Sequence, residues 1–298
     1  MPVARVDRID LWYQLTSPPG RPEAPLLVLT HGFAGPYWRP IIDDVRARFR
    51  VLVYDVRGHG RSSIPEDPAD YSVPQFATDL AALLDTLAID RAHVGGVSMG
   101  GMITAQFACD YPDRLLSALL CDTVCGNAPD SQDGDEARRV EGIVRQAFTR
   151  QTDLVERHGL AELVARENRY RREHDQYSKT RAATQEEQDA ETARKIDLMT
   201  PRGYVNVARA VIGRPDLVPR LPSITTPALV SCGEWDLFCP CAERDASLLP
   251  NARFATIRRA AHDTTTYQPQ LWKRAVFDFL DDVESARDIR GRREYKPD

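Results

Sequence analysis

No apolar run in these 298 residues approaches the roughly 20 residues that a membrane-spanning helix needs. A basic excess is missing too. The formal net charge is −5, which gives no reason to expect nucleic-acid binding and is too mild for an acidic tail or strong steering. The opening stretch, MPVARVDRIDLWYQL, carries acidic residues and alternates like a strand, so it lacks the pattern of a secretory signal. These absences predict a cytoplasmic protein that binds neither nucleic acid nor membrane. Internal repeats are absent as well. Cysteine is present, at 109, 121, 125, 232, 239 and 241, but without a convincing metal spacing. Cys121-x3-Cys125 and Cys239-Pro240-Cys241 resemble halves of a zinc site. Cys121 and Cys232 nevertheless sit at apolar strand ends, where a free thiol packs as a small hydrophobe. The expectation is no metal and reduced thiols.

What is present is a rhythm. Hydrophobic residues make up 42% and charged residues 28%, the balance of an ordinary globular domain. Leu26–Thr30 and Val51–Tyr54 are short apolar runs of the kind buried on both faces of a parallel sheet. Phe76, Leu80, Leu83, Leu84 and Leu87 then recur at helical spacing. Ala92–Val97 reads as a strand, 99–110 as a helix and Leu115–Cys121 as a strand. Strands alternating with helices predict a mostly parallel sheet covered on both sides. From about 125 to 214 the pattern stops, giving way to polar, helix-prone chain that is most charged over 166–195 and is expected to be a solvated helical surface. It resumes with strands over 227–232 and 252–257 and a closing helix from Pro269 to about Val283. The expected organisation is an α/β core over 1–125 and 215–285, a helical cap over 126–214 whose Ile143, Phe148, Leu154, Leu160 and Leu163 pack downward or line a cavity, and a charged, frayed tail over 286–298.

Gly96-Val97-Ser98-Met99-Gly100 places a serine between a predicted strand and a predicted helix. On such a turn the serine backbone is strained, small neighbours relieve the crowding, and Oγ stands above the carboxyl ends of the strands. The amide of Met99, at the helix start, can stabilise an oxyanion. Phe33, in Thr30-His31-Gly32-Phe33, is placed to supply the second donor, with His31 read as a structural imidazole that supports its loop. His262, after the last predicted strand, suits a general base. Asp236, in Gly233-Glu234-Trp235-Asp236, suits its carboxylate partner, with Asp122 the substitute. Trp38, Trp235, Phe238, Phe33 and Met99 flank these loops and are candidate pocket walls.

The pieces HGF (31–33), YDVRGHGRS (54–62), GGVSMGG (95–101), GEWDLFCP (233–240) and AAHDTTTYQP (260–269) occur in one order. Through them the chain resembles the α/β-hydrolase family over roughly 5–125 and 215–285, with 126–214 similar to that family's variable cap. MGGMITAQFACDYPDRLLSALLCDT is similar to the equivalent part of 3-oxoadipate enol-lactonases and small esterases. The resemblance implies the α/β-hydrolase fold and hydrolysis of a small-molecule carboxylic ester or lactone through an acyl-enzyme, without a cofactor. Two other readings stand beside it: a carbon–carbon bond hydrolase acting on a diketone-type substrate, and a slow-turnover ligand receptor. Val97 precedes the nucleophile where meta-cleavage carbon–carbon hydrolases typically carry Asn, and a serine nucleophile argues against dehalogenases and epoxide hydrolases, which use aspartate. Homo-oligomerisation is left open.

Overall fold

The computed structural model describes residues 2–33, 35, 38–127, 135–174, 193 and 197–297, the side chains of 168 and 170–174 excepted. Nine strands form one sheet in the order β1-β2-β4-β3-β5-β6-β7-β8-β9. They are β1 Val3–Val6, β2 Ile9–Thr16, β3 Leu26–Thr30, β4 Arg50–Tyr54, β5 Ala92–Val97, β6 Leu115–Cys121, β7 Ala228–Gly233, β8 Ala252–Ile257 and β9 Gly291–Tyr295. β1 pairs antiparallel with β2, and β2 with β4. All other neighbours run parallel. The alternating N-terminal segment is a hairpin rather than one strand, turned at Asp7, whose φ of 51° is left-handed.

Side chains of successive residues leave a strand on opposite faces, so the sheet divides its core in two. Val28, Leu52, Val94, Leu120 and Val230 pack with helices α2 (Val73–Thr86) and α3 (Met99–Asp110). Leu27, Leu29, Val97, Leu119 and Leu229 pack on the other face with α1 (Ile42–Arg46) and the closing helix α9 (Pro269–Glu284). Each fully buried Leu or Phe stabilises the fold by about 1.5–3 kcal/mol. Among the described residues no helix is long and apolar enough to cross a membrane.

Between β6 and β7 the strand pattern gives way to helices α4 (Glu136–His158), α5 (Leu160–His174) and α6 (Pro201–Ile212). Asp135 caps α4 by accepting from the amides of Ala137 and Arg138, and Gly159, at φ 82°, ends it. Thr200 caps α6 through the Gly203 amide. The two strands of chain that lead into and out of this insertion are stitched together. The Arg214 guanidinium donates to Gly126 O (2.6 Å) and Val211 O (2.8 Å), and the Asn127 side chain donates to Ile212 O (3.1 Å). α4 is further held to helix α7 (Cys239–Leu248) by Arg244, which pairs with Glu141 and Asp245, both at 2.7 Å. Much of the charged stretch 166–195, expected to be a solvated helical surface, lies outside the described residues.

The expectation of a frayed tail is overturned. After α9 the chain returns as β9, parallel to β8, with Ile289 and Tyr295 buried. The anchor is Arg253, fully buried on β8, whose guanidinium donates to Ile289 O (3.0 Å) and pairs with Asp282 (2.6 Å). Four of the five β9 side chains are exposed, so no apolar run marked the strand.

Candidate active site

β5 runs into α3 through Ser98, whose backbone sits at φ 56° and ψ −117°, a conformation that costs a non-glycine residue about 1–3 kcal/mol. The surroundings hold it there. The Ser98 amide donates to Cys121 O (3.0 Å), and the Thr123 hydroxyl donates to Ser98 O (2.7 Å). Gly96 and Gly100 are required by contact. A Cβ on Gly96 would lie 2.2 Å from the Gly100 carbonyl, and one on Gly100 would lie 2.0 Å from Thr30 O. The turn therefore packs α3 directly against β3 and β5 and leaves the Ser98 side chain half-buried at the strands' carboxyl edge.

His262 reaches Ser98 from the loop after β8, with Nε2 at 3.1 Å from Oγ. Its Nδ1 lies 3.0 and 3.2 Å from the two oxygens of Asp236. A carboxylate only accepts, so Nδ1 carries the proton and Nε2 is left to accept from the serine hydroxyl. Asp236 is buried in the turn after β7, where it also accepts from the Phe238 amide (3.0 Å). Burial disfavours the His262 imidazolium, but the Asp236 charge and its hydrogen bond outweigh that, and the imidazole is held above its ordinary value. Phe238 stands edge-on to the His262 ring, centroids 4.6 Å apart.

The other histidines do different work. His31 donates from Nδ1 to Gly32 O (2.7 Å) and accepts at Nε2 from the Val56 amide (2.9 Å), so it braces the loop that carries Phe33. Burial holds His31 below its ordinary value. Burial pushes His59 down to about 3 and His93 down to about 4, so all three imidazoles are neutral. His158 is exposed at the end of α4, and the side chain of His174 lies outside the described residues. Glu234 accepts from the Arg259 amide and pairs with Arg258 (2.9 Å). Asp122 is fully buried, and its hydrogen bonds run to Thr264 rather than to His262.

Met99 is buried as the first residue of α3, where an amide has no partner within its own helix. The Phe33 ring reaches up to the insertion, 5.1 Å from the Phe148 ring and 4.8 Å from that of Tyr204. Trp38 corrects the expectation of a pocket wall: it is 4% exposed and lies in the core cluster of α1 and α9, its ring 6.1 Å from Trp272. Trp235 is half-buried in the turn that holds Asp236. Ile143, expected to face down, is 41% exposed, whereas Leu160 and Leu163 are buried and Phe148 and Leu154 pack against their cluster. The Cys241 thiol points to Ala137 O (3.3 Å) and the Cys239 thiol meets Cys232, so the two diverge. Among the described residues no group of three or more His, Cys, Asp or Glu side chains could hold a metal. Sequence reasoning missed Thr123, Tyr204 and Thr264 as neighbours of the site. Thr123 and Thr264 could have been flagged by their adjacency to Asp122 and His262.

The comparisons with known proteins agree with this architecture. A family profile described as alpha/beta hydrolase fold matches residues 25–264. A putative carbamate hydrolase of Caulobacter vibrioides is 29% identical over 285 residues, covering 94% of this chain and 98% of that one. A putative 2-succinyl-6-hydroxy-2,4-cyclohexadiene-1-carboxylate synthase of Bacillus subtilis is 28% identical, covering 86% of this chain and 90% of its own. The crystal structure of the enol-lactonase from Burkholderia xenovorans LB400 superposes with a TM-score of 0.77 at 27% identity, covering 94% of this chain and all of that one. With a nine-stranded, mostly parallel sheet and a serine on the sharp turn after β5, this chain belongs to the α/β-hydrolase fold family and is an enzyme of that family.

Proposed function

We propose that the protein is a serine hydrolase that cleaves a carboxylic ester or lactone through an acyl-enzyme. The observation that carries this reading is the continuous chain of contacts from Ser98 Oγ to His262 Nε2 (3.1 Å) and from His262 Nδ1 to Asp236 (3.0 Å). Ser98 Oγ attacks the substrate carbonyl carbon while His262 Nε2 takes the hydroxyl proton. The carbonyl oxygen becomes an oxyanion, for which the amides of Met99 and Phe33 are the donors. Collapse of the tetrahedral species expels the alkoxide, which leaves as alcohol with the proton from His262. Water then attacks the acyl-enzyme with His262 again as base. Asp236 holds the Nδ1 proton and balances the imidazolium in both steps. No step calls for a cofactor.

In this reading residues 126–214 act as a cap that sets substrate size and access, and 1–125 and 215–285 are the catalytic core. Phe33, Phe148, Tyr204 and Phe238 give the approach an aromatic character suited to an apolar acyl or alcohol group. The relatives support the class: one is named for a carbamate, whose carbonyl is attacked as an ester's is, and another for an enol-lactone. In this reading the protein works in the cytoplasm with its thiols reduced. The test is a fluorophosphonate probe followed by peptide mass mapping, run beside hydrolysis of short nitrophenyl esters and simple lactones. One adduct on the Ser98 peptide and turnover that disappears in Ser98→Ala are expected. Labelling that persists in Ser98→Ala overturns the reading.

A further inference from the structure

Acyl transfer by Ser98, His262 and Asp236 leaves one buried carboxyl beside them unused. Asp122 ends β6, its own amide tied to Ser231 O of β7 (2.8 Å) and its φ, 47°, in the left-handed region. That conformation is costly for a residue with a side chain, and it aims the carboxyl away from β6 and toward the loop that follows β8. There Oδ2 accepts twice from one residue, from the Thr264 amide (2.8 Å) and from its hydroxyl (2.7 Å). Thr264 is fully buried and stands two positions beyond His262, at the start of the short helix α8 (Thr264–Tyr267). The other oxygen, Oδ1, is buried with no hydrogen-bond partner among the described residues.

A surface role does not account for this arrangement, because the carboxyl is wholly buried. A share in holding the imidazole proton does not either, since both oxygens of Asp236 lie within reach of His262 Nδ1. What the bonds do is clamp the base loop to the end of β6, one residue past Cys121, whose carbonyl receives the Ser98 amide (3.0 Å). One short segment, 121–122, thus fixes both the nucleophile turn and the base loop. Charged and titratable groups surround the carboxyl. Asp236 and His262 act on Asp122, Asp122 acts on the thiols of Cys121 and Cys232, and Asp263 acts with Asp122 on His262.

We propose that Asp122 is a positioning residue of the hydrolase site, which sets the seat of His262 above Ser98 through Thr264 and adds its charge to that of Asp236 in holding the imidazolium. The inference rests on the triad reading above. Burial, then the nearby charge of Asp236, pushes the Asp122 carboxyl up to about 7, so its charge is gained across the pH range in which a histidine base works.

The experiment measures the second-order rate of fluorophosphonate labelling of Ser98 as a function of pH, with thermal unfolding followed in parallel. The proteins are the full-length wild type and the variants Asp122→Asn, Thr264→Val, Thr264→Ser and Asp236→Asn. Asp122→Asn keeps an acceptor for Thr264 but carries no charge, so the acid limb should move to lower pH by about half a unit. Thr264→Val removes one clamp bond at constant shape and should lower the plateau rate by about tenfold or more, because small displacements of a base are costly. Thr264→Ser should restore it. Where Asp122→Asn does not fold, the Val and Ser pair at 264 carries the test alone. Folded variants with a wild-type plateau and acid limb, changed only in unfolding temperature, would reduce Asp122 to a structural role and overturn the proposal. A wild type that does not label, or an Asp236→Asn variant that labels like it, overturns the triad instead, a result separate from the first.

Discussion

The carboxyl edge of the sheet and the helical insertion meet around Phe33, and they are held by different forces. At the sheet edge the candidate site groups are fixed by short, directed hydrogen bonds from backbone amides in the turns and loops that follow parallel strands. The Ser98 amide goes to Cys121 O, the Phe238 amide to Asp236 and the Thr264 amide to Asp122. The insertion is held at its base by the ion pair of Glu141 with Arg244, whose guanidinium also pairs with its neighbour Asp245. An apolar cluster of Val155, Leu160, Leu163, Met199 and Tyr204 completes it, with Phe33 packed against it. Hydrogen bonds to strand ends define positions to a fraction of an ångström, as acyl transfer needs. Apolar packing accepts changes of shape if volume is kept, which suits the substrate-selecting role proposed for the insertion.

Two substitutions should break the sheet-edge half. Ser98→Ala removes the proposed nucleophile, and kcat for a short nitrophenyl ester should fall by about 10⁶-fold, the scale seen when a triad serine is lost. Fluorophosphonate labelling should vanish with it. Asp236→Asn should cost up to about 10⁴-fold by favouring the wrong tautomer. It also carries a pH signature. The base works when neutral, so activity rises with pH through the His262 titration, and that titration lies high because of Asp236. With the Asp236 carboxylate gone, burial is opposed only by the charges of Asp263 and Asp122, and the acid limb of kcat/KM should move to lower pH. A limb that stays in place would mean that another group sets it.

The same division governs what the sequence could tell. Parallel strands buried on both faces announce themselves as unbroken apolar runs, and β3, β5, β6 and β8 fall where Leu26–Thr30, Ala92–Val97, Leu115–Cys121 and Ala252–Ile257 predict them. Ser98, Asp236 and His262, which lie within hydrogen-bond reach of one another, could be singled out as candidates because each follows such a strand. β9 was not, since an edge strand of Gly-Arg-Arg-Glu-Tyr owes its place to the distant Arg253. Trp38 was misjudged because adjacency to a site loop says nothing about which way a ring turns. The clamp between Asp122 and Thr264 joins residues 142 positions apart, and no local pattern encodes such a pairing.

Milder changes sharpen the contrast from the insertion's side. Glu141→Gln takes one charge out of the buried group around Arg244 and should destabilise the protein by about 3 kcal/mol, the usual scale for breaking a buried pair. Thermal unfolding should report it, while kcat of the folded fraction on an acetyl ester stays close to wild type. If kcat fell in step with stability, the insertion's base would be coupled to the chemistry. Phe148→Ala removes the ring that meets Phe33 (5.1 Å) and should change kcat/KM about tenfold for long-chain esters, the scale of one or two methylenes in an apolar pocket. Acetyl esters should be nearly unaffected, and a uniform loss across chain lengths would speak against a selecting role.

The smallest effect belongs to Ile143, and its smallness is informative. Along α4 the buried side chains, Gly142 being buried but having none, are Ala137, Val140, Glu141, Val144, Thr152 and Val155, with Phe148 partly buried between them. They recur at three or four residues and define the inner stripe. Ile143 lies off that stripe and is 41% exposed, although by hydrophobicity alone it would rank among the first residues sent inward. Ile143→Thr should therefore change stability by no more than about 0.5 kcal/mol, as surface substitutions do, and leave the ester profile untouched. Val144→Thr, one position along and buried, puts a hydroxyl into apolar surroundings and should cost about 1–3 kcal/mol. Equal costs at 143 and 144, measured by chemical denaturation, would mean that α4 is rotated about its axis. Phe148 would then no longer meet Phe33, and the insertion's part in selecting substrates would lose its structural basis.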